Sequence, residues 1–167
     1  MDKVIDCLGL GIAPIDILLQ IPRYPQPGNK IDALNITIQG GGPIPTAMVT
    51  LSCLGLKTGL IAAVGEDILG DFVIEELESK GVDTSLIITK KNSTAIAVGW
   101  IEYNSGRRTI ALNLKIQIKA RDIRIGKLPT TRSVHLDGRD LPACMKLASW
   151  AQNNDIPDDA KSNSILE

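Results

Sequence analysis

The sequence lacks any block of basic charge and any long apolar run, and these two absences exclude several classes of function. Its 18 lysines and arginines and 19 aspartates and glutamates are interspersed and leave a formal net charge of -1. This balance argues against nucleic-acid binding and against a charged tail or membrane-surface role. No stretch of about 18 apolar residues is present, and the N-terminus lacks the basic-then-apolar layout of a signal peptide. We therefore expect a soluble, cytoplasmic protein with no membrane or nucleic-acid partner.

Cysteine and histidine are also scarce, and their positions predict no metal site. Cys7, Cys53 and Cys144 are far apart and lie in apolar runs, which is typical of small buried side chains in a reducing compartment. His135 is the sole histidine and lies in an apolar stretch, so we interpret it as a core residue. The sequence has no phosphate-binding loop of the GxxxxGK[ST] type either.

Apolar periodicity predicts strands that alternate with helices. Helical spacing of apolar residues follows Gly42, continues over 69–77 and returns over 141–151. Two strand-like segments joined through 104–106 predict a hairpin. This alternation is typical of an α/β sheet to which hairpins have been added. The strand-like segments are 4–10, 34–39, 57–64, 94–102, 108–112 and 133–136.

The most informative segment is Gly40-Gly41-Gly42, which leads directly into the first predicted helix. Adjacent glycines let a ligand approach the backbone closely, and the first turn of a helix points its N–H groups at such a ligand. The segment therefore predicts a site for a polar small molecule. The same glycines are also typical of a backbone hinge, and both interpretations stay open.

Four segments together resemble the ribokinase-like family of sugar and nucleoside kinases, also called the PfkB carbohydrate kinases. They are the opening strand LGLG with Asp16, the turn PQPGNK, the signature that begins GGPIPTA, and the stretch VGEDILG that follows it. The segment NSGRRT is similar to the family's second lid hairpin. The resemblance covers residues 3 to 157, but only the N-terminal half of the family's pattern.

The resemblance implies an α/β fold, namely a ribokinase-like three-layer α/β sheet that is incomplete in this chain, with a small β-strand lid. Residues 1–157 would form the substrate-binding part, with lid strands at about 30–39 and 94–113, followed by a polar tail at 158–167. Lid strands of the family often pair between subunits, so the resemblance also implies a homodimer through the lid strands.

The implied activity is transfer of the ATP γ-phosphate, with Mg²⁺, to a hydroxyl of a sugar or nucleoside. Asp16 matches the aspartate that binds substrate hydroxyls; the alternative is an edge residue in water. Gly41 and Gly42 would approach the sugar. Thr46 stands where the family usually has asparagine, and it is either a substrate contact or a purely structural residue of the first helical turn. Asp137 ends a strand, where open α/β sheets bind ligands.

A catalytic motif of the family is missing from this sequence. The resemblance places a Gly-Ala-Gly-Asp motif, with the general base and an anion hole, in the C-terminal half, yet no glycine follows Gly138. We therefore predict no catalytic residue here, a nucleotide site that is largely absent, and no turnover by the chain alone. The alternatives are a non-catalytic sugar-binding or dimerisation module and a marginally stable fragment.

Overall fold

The computed structural model describes residues 4–157, so the predicted polar tail lies outside the described residues. Within these residues, the α-helices are α1 (Pro43–Cys53), α2 (Ile68–Ser79) and α3 (Leu141–Asn153). Short 3-10 helices span Ala120–Asp122 and Ile125–Lys127. The strands are β1 (Val4–Ile5), β2 (Cys7–Leu10), β3 (Ile15–Ile21), β4 (Asn35–Gly40), β5 (Thr58–Gly65), β6 (Val82–Asp83), β7 (Ile87–Lys90), β8 (Ile96–Glu102), β9 (Arg108–Asn113), β10 (Thr130–Thr131) and β11 (Val134–Leu136).

The central sheet is parallel and carries helices on both faces. Its order is β11-β2-β5-β6, and β7 pairs with the other end of β5, while β1 and β10 form a separate parallel pair. Every residue of β5 is buried, as expected for a strand covered on both sides. One face packs against α1 and α2, for example through Met48 and Val73. The other packs against α3 and the segment 116–123. The predicted three-layer α/β architecture is confirmed.

In the described part of the chain, the second sheet is a lid of four strands in the order β4-β3-β8-β9. β4 overlaps the lid segment expected at about 30–39 and extends one residue beyond it, and the β8–β9 hairpin lies within the segment expected at about 94–113. The strand at the centre, β3, falls outside them: it pairs antiparallel with β4 and parallel with β8. Apolar side chains of β3 lie on both faces of the sheet, Ile17 and Leu19 on one and Leu18 on the other, so its sequence does not show clear alternation.

Aspartates are the N-cap residues of α2 and α3, whereas a glycine is the N-cap residue of α1. The side chains of Asp67 and Asp140 accept hydrogen bonds from N–H groups in the first turns of α2 and α3, the usual N-cap contact. Gly42 precedes α1 with a φ of 94° and no side-chain cap. None of the helices within 4–157 is long and apolar enough to cross a membrane.

The cysteines differ in exposure. Cys7 and Cys144 are buried as expected, but Cys53 is exposed, so the prediction that all three are buried is wrong. Cys53 is the last residue of α1, where the helix turns into the surface loop before β5.

Candidate functional site

Asp16 lies on the lid strand β3 and reaches the glycine segment that follows β4. Its backbone neighbours across the sheet are Gln39 on β4 and Ala97 on β8. The carboxyl group sits directly over Gly41, because a Cβ built on Gly41 would overlap all three atoms of that group. The structure therefore brings together two residues that are 25 positions apart and that the sequence predicted for one site.

The Asp16 carboxylate is half-buried and unpaired. Partial burial raises the pKa of Asp16 above the usual range of an aspartate. Within residues 4–157, no group donates a hydrogen bond to this carboxylate or forms an ion pair with it. Removing a carboxylate from water without a partner is unfavourable. Hydroxyl groups of a ligand would supply the missing donors.

The N-terminus of α1 offers fewer free N–H groups than a helix start usually does. Pro43 and Pro45 occupy two of its first three positions and have no N–H. The Gly41 N–H already donates to the Pro14 carbonyl at 2.8 Å. Of the first three helical residues, Ile44 alone has an N–H for a ligand. The expected cradle of glycine and helix N–H groups is thus reduced.

Position 42 requires glycine because of its backbone conformation and because a side chain would not fit there. Its φ of 94° is in the left-handed region, which side chains disfavour. A Cβ there would also overlap the carbonyl oxygen of Ile12. Gly42 therefore fixes the turn between the lid and α1.

Thr46 is held by the turn that precedes it. Its hydroxyl donates to the Gly42 carbonyl at 2.8 Å, and its N–H donates to the same oxygen at 3.1 Å. Since its proton is used in this way, the hydroxyl can offer only an acceptor to a ligand. Thr46 and Gly41 line a cavity of about 200 Å³ between α1 and α2, and Asp16 is not part of its wall.

Asp137 holds a backbone loop. Its Oδ2 accepts the N–H of Ile12 at 2.8 Å and its Oδ1 accepts the N–H of Arg139 at 2.9 Å. A Cβ on Gly11 would lie 2.8 Å from Oδ2. Both oxygens of this strand-end carboxylate are therefore engaged with the chain itself.

Two carboxylates that the sequence did not single out tie the lid to the core. Asp67 accepts the N–H of Thr94 at 2.9 Å and its hydroxyl at 2.6 Å, just before β8. Glu76 on α2 accepts the N–H of Gly40, the last residue of β4. The capping position of Asp67 before α2 was a usable signal, whereas nothing in the sequence links Glu76 to a residue 36 positions away.

A metal ion finds no obvious set of ligands in the described part of the chain. Among residues 4–157, no three His, Cys, Asp or Glu side chains come together in a way that could hold one.

The chain is similar to known proteins both in sequence and in structure. The sequence is similar to ketohexokinase from Mus musculus, with 25% identity over 150 residues that make up 87% of this chain and 49% of the relative. The structure is similar to ribokinase from Thermotoga maritima, with a TM-score of 0.75, 21% identity and coverage of 87% of this chain and 49% of that one. It is also similar to ribokinase from Cryptococcus neoformans in complex with ADP, with a TM-score of 0.67, 22% identity and coverage of 92% and 48%.

These similarities show the fold of the chain and how much of its relatives' length it spans. The neighbours have the ribokinase-like fold, which confirms that part of the prediction. The chain spans about half the length of the ketohexokinase that it matches. Residues 6–161 match the pattern described as pfkB family carbohydrate kinase. The chain belongs to the pfkB family of carbohydrate kinases.

Proposed function

We propose that this chain is the substrate-binding part of an ATP-dependent kinase that transfers the γ-phosphate to a hydroxyl group of a sugar. The observation that carries the proposal is the unpaired, half-buried carboxylate of Asp16 over Gly41. A polyhydroxyl ligand provides the donors that this acceptor lacks. Family membership supports phosphoryl transfer as the reaction, and the cytoplasm is the proposed location.

The residues of the site take different roles in this proposal. Asp16 accepts hydrogen bonds from sugar hydroxyls, and Gly41 leaves room for the carboxylate. Ile44 donates its N–H, and Thr46 offers its hydroxyl oxygen. Closure of the lid would exclude water from these groups.

The substrate class follows from the relatives as a proposal. A ketohexose and ribose are the first candidates, because the similar proteins are a ketohexokinase and ribokinases. A nucleoside is the third candidate substrate. ATP is the proposed phosphate donor, since one ribokinase neighbour is a complex with ADP.

The test separates binding from turnover. We expect D-fructose, D-ribose or adenosine to raise the melting temperature of the 167-residue chain, with no ADP release above background in the presence of ATP and Mg²⁺. The intact gene product from the source cells serves as the comparison, and a product substantially larger than 17.9 kDa should release ADP with the same sugar. ADP release by the chain alone, or no stabilisation by any of the three, would contradict the proposal.

A dimerisation role is the second candidate, because one face of the lid is apolar and partly exposed. Side chains alternate between the two faces of a strand, so the residues that flank Asp16 point away from it. In register across three strands, this face carries Ile17, Leu19, Ile36, Ile38, Val98 and Trp100. Ile36 and Ile38 are 58% and 56% exposed. Such a patch is typical of an interaction surface, and a second lid of the same chain would cover it.

Ile38→Lys is expected to shift the chain from dimer to monomer, because it places a charge within this apolar face. The dimer dissociation constant should rise by about tenfold or more, measured by sedimentation or light scattering across a concentration series. Thr37→Lys is the matched control, since Thr37 lies on the same strand and points to the other face. A wild-type chain that stays monomeric, or equal effects of both variants, would contradict the lid dimer.

A further inference from the structure

Glu76 joins the helix layer to the end of the lid strand that leads into the site. It lies on α2, and its carboxylate accepts the N–H of Gly40. A Cβ on Gly40 would lie 2.5 Å from Glu76 Oε2. The glycine therefore lets the carboxylate approach the backbone closely enough to bind it.

The position of Gly40 in the lid explains why this contact matters. Among residues 4–157, β4 is an edge strand of the lid and pairs with β3 alone. An edge strand leaves alternate N–H groups without a partner in the sheet, and a buried N–H without a partner is unfavourable. Glu76 supplies the acceptor at the point where the lid meets the core.

The contact is one residue away from the candidate site. Gly40 is followed by Gly41, whose Cα lies under the Asp16 carboxyl group and whose N–H binds the Pro14 carbonyl. Displacement of Gly40 would therefore move Gly41 relative to Asp16. Glu76 itself lies on the wall of the 200 Å³ cavity between α1 and α2, in which Asp16 takes no part.

We propose that Glu76 is a positioning residue for substrate binding: it fixes the end of β4 so that Gly41 stays under Asp16. The inference rests on the proposed function, because it assumes that Asp16 binds the sugar. Glu76 acts through the backbone of Gly40. A misplacement of about 1 Å at a site can weaken function by up to about a hundredfold, so a single hydrogen bond at this point has a measurable effect.

The test compares three variants of the whole chain by calorimetric titration with D-fructose or D-ribose, whichever the wild type binds more tightly. Glu76→Ala should weaken binding by about tenfold. Glu76→Gln keeps an oxygen acceptor and should restore affinity to within about threefold of wild type. Glu75→Ala is the control, since Glu75 is an exposed residue of the same helix, and it should bind as wild type does.

A second readout follows the contact itself. Hydrogen exchange at the Gly40 amide should become faster in Glu76→Ala and stay slow in Glu76→Gln, because the latter keeps the acceptor. If the wild type binds sugar and Glu76→Ala binds it with the same affinity, the proposed role of Glu76 is overturned, whereas the proposed function is not. Equal losses in Glu76→Ala and Glu76→Gln would also overturn it. Absence of sugar binding in the wild type would overturn the proposed function and, with it, this inference.

Discussion

Gly41→Ala is expected to weaken sugar binding by about a hundredfold while the fold persists. The added Cβ would overlap the Asp16 carboxyl group, so the carboxylate must turn away from its position over the glycine. The φ of Gly41 is outside the left-handed region, in contrast to that of Gly42. The backbone therefore accepts alanine, and the change acts on the site more than on stability.

Calorimetric titration and a thermal melt of the same sample measure the two effects separately. Gly126→Ala is the matched control, because Gly126 also has a φ outside the left-handed region and a Cβ there would meet nothing within 4 Å. It should leave both affinity and melting temperature unchanged. Affinity of Gly41→Ala within about threefold of wild type would show that Asp16 does not bind the sugar from the position seen here.

Asp67→Ala is expected to lower the free energy of unfolding by about 3 kcal/mol. The Asp67 carboxylate accepts hydrogen bonds from the Gly70 N–H and from the N–H and hydroxyl of Thr94. The Thr94 oxygen in turn accepts the N–H of Gly65 at 2.9 Å. Thr94 is only 2% exposed, so removal of the carboxylate leaves buried donors without an acceptor.

Denaturant unfolding gives this value, and Asp71→Ala provides the control. Asp71 is exposed and lies in the first turn of the same helix, where its charge interacts favourably with the helix dipole. Its loss should cost about 0.5 kcal/mol. Similar losses in the two variants would contradict the role assigned to the Thr94 contacts.

The difference in stability between wild type and Asp67→Ala should depend on pH in one direction. Partial burial alone would raise the pKa of Asp67, but the hydrogen bonds from Thr94 and from the start of α2 outweigh it and lower the pKa. A carboxyl group with a lower pKa in the folded state stabilises the fold when ionised, and this contribution disappears as the pH falls through the folded-state pKa. The difference between wild type and Asp67→Ala should therefore be constant near neutral pH and shrink below about pH 4. A difference that stays constant down to pH 2 would contradict this assignment.

The sequence predicted the layered fold well because its strands and helices carry their own local signals. The glycine after β4, the stripe of α1 and the capping aspartate of α2 are all visible without tertiary contacts. β3 was harder, because one of its two neighbours, β8, comes from a distant part of the chain. Its place at the centre of the lid follows from pairing, which periodicity does not report.

The site was predicted in its residue types but not in its contacts. Asp16 and Gly41 meet because β3 and β4 pair in a particular register, and no local pattern specifies that register. The proton of the Thr46 hydroxyl is taken up by the carbonyl four residues before it, and Pro43 and Pro45 reduce the donors at the helix start. Glu76 reaches Gly40 only through the packing of α2 beside the lid.

The most direct test of the account is the response of wild type and Asp16→Asn to sugar, measured as thermal stability with and without ligand. A half-buried carboxylate with a raised pKa opposes folding as the pH rises through its unfolded-state pKa, so Asp16→Asn without sugar should be at least as stable as wild type at neutral pH. D-fructose or D-ribose should raise the melting temperature of wild type and leave that of Asp16→Asn unchanged. A variant that is less stable and still gains stability from the sugar would show that Asp16 is a structural residue, which contradicts the account.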